Sequence, residues 1–333
     1  MRLAVLGIAL VSAVALAGGE PGQAPSALVT LENGRVVLGL LPSLGGRVVV
    51  FRAGKGPNVL DAHWKEPFPP PSLDARFEPW NGHVVWAGPQ SAWWTRQDLL
   101  PERNQAKAIW PPDPFNELAR YEVLEKTVAR VRMRAPASPL TGLELEQEIE
   151  LLGEGTARLR VVATNRRDAP VAWDLWPNTR VQPSGTPYVP LEPGAPLRID
   201  DAADGATGPY PHVITGGWLS FEPGHRPASG FTELRAKAFV RPARGLIAFF
   251  LGRQVFLKRA PTVPLERLHA EQAFVELYRG AGRDGDILEL EMHGPYETLV
   301  PGASMRFEET WELLGYDGPP EGAARVAFLG RLR

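Results

Sequence analysis

Leu143, Leu145, Ile149 and Leu151 alternate with Glu144, Glu146, Glu148 and Glu150. A strand sends successive side chains to opposite faces, so this spacing predicts a half-buried strand with an acidic solvent face. Strand-length apolar or alternating segments recur at 29–31, 35–41, 47–52, 128–134, 156–164, 171–181, 246–251, 255–258, 273–278, 287–293 and 305–313, with Gly, Pro, Asn or Asp in the gaps. No long stretch carries the periodicity of an amphipathic helix, and neither a βαβ alternation nor a solenoid repeat is visible. The predicted architecture is all-β, with large antiparallel sheets packed as a sandwich. In Glu32-Asn33-Gly34-Arg35, the Asn-Gly pair predicts a type I′ hairpin, because both residues tolerate positive φ.

Two regions break this rhythm and read as loop excursions on one sandwich. Residues 63–115 hold six of the ten tryptophans (Trp64, Trp80, Trp86, Trp93, Trp94 and Trp110) and the proline-rich runs 67–71 and 110–114. Proline fixes φ and removes a donor, which predicts a stiff, irregular loop with more aromatic surface than solubility requires. Residues 183–211 carry an acidic tip at Asp200, Asp201, Asp204 and Gly205. A calcium loop needs regularly spaced oxygen ligands, and that spacing is missing, so the tip reads as solvated turn residues.

The first seventeen residues change the picture of where the chain works. Met1-Arg2 precedes the apolar run 3–17, which ends in Ala15-Leu16-Ala17, the small-x-small pattern cut by signal peptidase. The run is shorter than the ~20 residues a spanning helix needs, and no second one follows. The expected organisation is a signal peptide at 1–17, a Gly/Pro linker at 18–27, one domain at 28–316 and a C-terminal tail at 317–333, with the protein periplasmic or secreted and without a membrane span once the signal is removed. The chain has no cysteine, so its core alone must hold the fold. Lys+Arg 36 against Asp+Glu 38 leaves a net charge of -2, without the basic surplus that nucleic acid rewards.

Candidate chemistry sits on three strand faces. Alternation places Asp174, Trp176, Asn178 and Arg180 together, and a Trp beside an amide and a guanidinium suits a sugar, which stacks its C–H face and shares its hydroxyls. An ion pair with Trp176 simply packed is the alternative. Phe274, Glu276 and Tyr278 share a second face, where aromatic flanks would raise the Glu276 pKa by desolvation and prepare an acid or base; an ordinary ion pair would leave it structural. Glu289, Glu291 and His293 share a third. No HExxH, GxSxG, Walker or dinucleotide fingerprint occurs, so no metal and no cofactor are expected.

The segments Leu44-Gly45-Gly46-Arg47-Val48, Val85-Trp86-Ala87-Gly88-Pro89-Gln90-Ser91-Ala92-Trp93-Trp94, Trp110-Pro111-Pro112-Asp113-Pro114 and 289–302 together resemble domain of unknown function 4380. That family is similar to the galactose mutarotase-like (aldose 1-epimerase) superfamily, and the likeness spans about 28–314. It implies a large antiparallel β-supersandwich with a sugar-binding cup and a carbohydrate or glycan as partner. Mutarotases carry an Asn-His pair on the strand after an Asn-x-x-x-x-Pro turn; here 165–170 resembles the turn and leads to Trp176-Pro177-Asn178, where no histidine stands. Val275-Glu276-Leu277 resembles the surroundings of the mutarotase glutamate, which makes Glu276 the candidate base, with Arg180 or Lys258 as oxyanion stabiliser. The candidate substrate-binding set is Trp86, Gln90, Trp94, Trp176, Asn178, Arg180, Lys258, Glu291 and His293. An epimerase-, lyase- or hydrolase-type enzyme, a non-catalytic glycan-binding module and an envelope protein-interaction module all remain open.

Overall fold

The computed structural model describes residues 28–332 except 154, 202, 204–205, 228–231, 242–243 and 283–284. The expected signal peptide, linker and Asp204-Gly205 turn lie outside the described residues. The strands are β1 (Val29–Glu32), β2 (Val36–Leu41), β3 (Arg47–Ala53), β4 (His83–Gly88), β5 (Glu122–Lys126), β6 (Arg130–Arg134), β7 (Leu143–Gly153), β8 (Thr156–Asn165), β9 (Val171–Arg180), β10 (Thr186–Pro190) and β11 (Leu197–Asp200). They continue as β12 (Gly208–Pro209), β13 (Val213–Thr215), β14 (Trp218–Ser220), β15 (Glu233–Val240), β16 (Leu246–Leu251), β17 (Gln254–Arg259), β18 (Val275–Gly282), β19 (Gly285–Met292), β20 (Glu297–Leu299) and β21 (Ser304–Gly315). Three short helices are α1 (Pro101–Gln105), α2 (Pro114–Glu117) and α3 (Gly322–Leu329).

Among the described residues the strands form two sheets. One has the order β1-β2-β3-β4-β9-β19-β18-β15-β11, with β20 on β9 and β12 on β15; the other runs β13-β14-β10-β16-β17-β21-β8-β7-β6-β5. All pairings are antiparallel except β12 with β15. The inner faces meet in a core that includes the edge-on rings of Phe51, Phe256 and Trp311. The β7 alternation holds residue by residue. Its glutamates are met by arginines of the neighbouring strands, as in Glu146–Arg132, Glu148–Arg160 and Glu150–Arg158.

The structure corrects four sequence expectations. The 63–115 region is not wholly a loop: β4 lies inside it, in the middle of its sheet between β3 and β9. Its side chains are buried on both faces, so alternation is absent and the signal is a short apolar run. The 183–211 excursion likewise contains β10 and β11. The β1–β2 hairpin forms, but only Gly34 of the Asn-Gly pair has positive φ, and the Asn33 carboxamide oxygen accepts from the N–H of Arg35 and Val36. That is a side-chain-closed turn rather than type I′. Finally, the 317–333 tail carries α3, whose Leu329 is buried with Tyr188, Phe250 and Tyr316.

Candidate functional site

Five neighbouring strands, β4, β9, β19, β18 and β15, turn one set of alternate residues away from the second sheet. Register fixes who meets whom: Glu291 lies opposite Asn178 on one side and Glu276 on the other, and Phe239 lies opposite Glu276. Residues that pair across an antiparallel ladder share a face, so Trp176, Asn178, Arg180, Glu289, Glu291, Glu276, Tyr278, Lys237 and Phe239 converge there. The result is a cup of about 540 Å³, closed on one side by Pro89, Gln90, Trp93, Ile109 and Trp110 from the tryptophan-rich excursion. Its size is in the range of ligand pockets.

Imidazole and carboxylates meet on the floor. His293 follows β19 and is fully buried, with Nδ1 3.1 Å from Asp174 Oδ2 and 2.8 Å from the Gln272 amide. Its Nε2 lies 3.4 Å from Glu276 Oε1. A carboxylate only accepts, so Nδ1–H donates to Asp174, which fixes the ring with Nε2 toward Glu276. Glu276 Oε1 also accepts from the Ala273 N–H at 2.7 Å. Lys237 Nζ bridges the two glutamates, 2.8 Å from Glu276 Oε2 and 3.0 Å from Glu291 Oε2, and sits 4.9 Å from the Trp176 ring centre. Glu291 Oε1 accepts from Trp176 Nε1 at 3.2 Å and Asn178 Nδ2 at 2.8 Å.

These contacts separate the titrations. Burial disfavours the imidazolium, yet Glu276 and Asp174 outweigh it and raise the His293 pKa to about 9. Glu276 moves opposite to the sequence expectation: burial raises it, but Lys237 and His293 prevail and hold it well below the usual carboxylate range. Glu291 is raised by burial against the pull of Lys237, with Glu289 and Glu276 adding to the rise. Two carboxylates on one ammonium are thus pushed apart, one ionised and one able to hold a proton, a division typical of acid–base sites.

Of the sequence-derived candidates, Trp86, Gln90, Trp176, Arg180, Glu276, Glu291 and His293 line the cup. Asn178 stands behind Glu291 and orients it. Arg180 is held by Glu289 at 2.7 Å and by the Asn81 carboxamide oxygen at 2.5 Å. Two candidates are elsewhere. Lys258 is fully buried between the sheets, donating to Pro177 O, Thr179 Oγ1 and Leu290 O and paired with Glu309 at 3.0 Å, so it cannot reach a ligand in the cup. Trp94 is fully buried under the loop, where its Nε1 donates to Pro111 O and the Arg103 guanidinium covers its ring. Phe274 is buried in the core and does not line the cup, whereas Tyr278 does. Lys237, Gln272 and Trp110 join the site without having been expected in it. The alternating β15 sequence carries Lys237, but nothing local says that its polar face is a cup wall rather than solvent.

Among the described residues no helix is long and apolar enough to cross a membrane. The family model described as Domain of unknown function (DUF4380) matches residues 27–314, and the chain belongs to that family. Three solved structures share its fold. The Slr1438 protein from Synechocystis sp. PCC 6803 has a TM-score of 0.52 at 16% identity, over 86% of this chain and 95% of that one. A "putative aldose 1-epimerase" from Klebsiella pneumoniae has a TM-score of 0.54 at 16% identity, over 92% of this chain and 82% of that one. A "putative mutarotase (YeaD)" from Salmonella typhimurium has a TM-score of 0.51 at 11% identity, over 86% and 90%. No curated protein matches the chain. The fold is the galactose mutarotase-like supersandwich.

Proposed function

We propose that this member of the DUF4380 family binds a carbohydrate in the cup and moves a proton on it, with Glu276 as base and His293 as its acid partner. The observation that carries the reading is the 3.4 Å approach of His293 Nε2 to Glu276 Oε1 on the cup floor, with Asp174 fixing the ring from behind. The histidine missing beside Asn178 is thereby replaced by one from the next strand of the sheet. The fold shared with proteins described as a "putative aldose 1-epimerase" and a "putative mutarotase" supports a sugar as the ligand. Proton abstraction from a sugar hydroxyl, or from a carbon next to a carbonyl group, leaves negative charge on oxygen, which Lys237 or the His293 imidazolium can stabilise.

A second reading, a non-catalytic glycan-binding site, is favoured by one observation: both Glu276 oxygens are already engaged, and Lys237 and His293 depress its basicity. Proton NMR of saccharides incubated with the protein separates the two, because one spectrum reports anomer exchange, epimerisation, cleavage and unsaturated products. Turnover that falls about 100-fold or more in both Glu276→Gln and His293→Gln, with calorimetric binding retained, is the expected result. Binding without turnover in the native protein establishes the binding module, and absence of saccharide binding removes both.

Export to the periplasm or medium is proposed on the apolar run 3–17 with its Ala15-Leu16-Ala17 end. The recovered protein is expected to begin near Gly18 by mass spectrometry; a mass that includes Met1 in the cytoplasmic fraction rejects export.

A further inference from the structure

Trp110 and its neighbour Ile109 line the same cup as His293 and Glu276, yet they are 46% and 51% exposed, whereas the floor residues are 0–1% exposed. The other tryptophans of the wall are covered. Trp176 and Trp86 are 4% and 6% exposed, and the Trp176 ring already has Trp93 stacked near it, His293 beside it and Lys237 against it. Trp176 therefore has little free face for a sugar. Trp110 has one.

The lip is also built to keep that face in place. The edge-to-face ring of Phe77 lies 4.7 Å from Trp110, and Trp93 lies 6.3 Å away on the inner side. Both flanking carbonyls are held, Ile109 O by the Gln90 amide at 3.1 Å and Pro111 O by Trp94 Nε1 at 2.7 Å. A half-exposed indole with fixed backbone on each side is a preorganised platform, which binds without a large ordering cost. Size points the same way. One hexose, with about twelve heavy atoms, fills roughly 200 Å³ at interior packing density, well under the 540 Å³ of the cup. A single sugar over the floor would leave the lip uncovered.

We propose that the ligand is a saccharide chain of two or more units, its terminal unit over the Glu276–His293 floor and the next unit stacked on Trp110. This rests on the reading of the cup as a carbohydrate site. Asp200, Arg235 and Glu271 also line the cup and add polar groups to its wall.

Calorimetric titration with galactose, glucose, N-acetylglucosamine and galacturonic acid, each free and as its 1,4-linked di- and tetrasaccharide, tests the proposal. For the sugar that binds, the tetrasaccharide is expected to bind about tenfold or more tighter than the monosaccharide. In Trp110→Ala that ratio falls toward one, and in Trp110→Phe, which keeps an aromatic face, most of it returns. The ligand-free unfolding midpoint of each variant shows that the fold is intact. Equal affinity for monosaccharide and tetrasaccharide, or a ratio unchanged in Trp110→Ala, overturns the two-unit site while the sugar reading stands. Absence of binding by every saccharide overturns the sugar reading and this inference with it.

Discussion

Replacing Lys237 by methionine is expected to destabilise the protein by about 3–5 kcal/mol near neutral pH, the usual cost of removing one partner from a buried ion pair. The Lys237 ammonium lies within 3.0 Å of both Glu276 and Glu291, whose side chains are at most 2% exposed. Methionine keeps the length of the side chain and its contact with Trp176, so the loss reads charge rather than volume. The burden falls unequally. Glu276 retains His293 and the Ala273 N–H in direct contact, whereas among the described residues the hydrogen bonds left to Glu291 come from the neutral donors Trp176 and Asn178. Glu291 then takes up a proton more readily than it already does.

The pH dependence follows from that shift. A carboxyl whose folded pKa is raised binds its proton more tightly in the native state, so stability declines as pH rises from the unfolded value through the folded one. In the native protein the Glu291 pKa is raised from the ordinary 4.5 to about 7. Without Lys237 the decline extends to higher pH, so over pH 5 to 8 the difference between variant and native protein grows mainly above about pH 7, where native Glu291 has already ionised. Urea unfolding at several pH values measures it, and Glu291→Gln in the Lys237→Met background is expected to recover part of the loss. A Lys237→Met protein within about 1 kcal/mol of native stability across that range would show that the bridge contributes nothing.

Lys237 also shows what a local reading of the chain leaves out. The faces of β9 and of 289–293 are legible as alternating residues, because each lies within one strand and the period of two holds. Lys237 joins them only through pairing of β15 with β18, forty residues away in the chain, and its strand pattern is the same whether the polar face meets water or a cup. The Glu276 pKa reverses for the same reason. Its sequence neighbours suggest desolvation, while the groups that decide it, Lys237 and His293, come from other strands. Lys258 fails in the opposite direction, since a lysine among apolar residues reads as reaching outward, yet Glu309 and three backbone or hydroxyl acceptors satisfy it inside the sandwich. β4 escapes a period-two reading because both of its faces are covered.

Gly88→Ala is expected to lose about 1–3 kcal/mol through overpacking and to uncouple His293 from its carboxylate. Gly88 ends β4 opposite Asp174 on β9, and a Cβ there would stand 2.1 Å from Asp174 Oδ1 and 2.3 Å from Gln272 Nε2. Asp174 accepts from His293 Nδ1 and is fully buried with Gln272 packed beside it, so it cannot yield without releasing the ring. The glycine is thus required for space, since its backbone is not in the left-handed region. NMR titration reads the consequence directly. The His293 pKa of about 9 depends on Glu276 and then on Asp174 against the cost of burial, so losing the Asp174 contact moves it back toward the ordinary value. Gly315→Ala is the control, because nothing lies within 4 Å of its Cβ position. Native stability and an unmoved His293 titration in Gly88→Ala would mean that the wall gives way elsewhere and that Asp174 does not depend on this clearance. A shift in His293 with stability close to native would instead separate the two roles, leaving Gly88 as a residue that serves the site more than the fold.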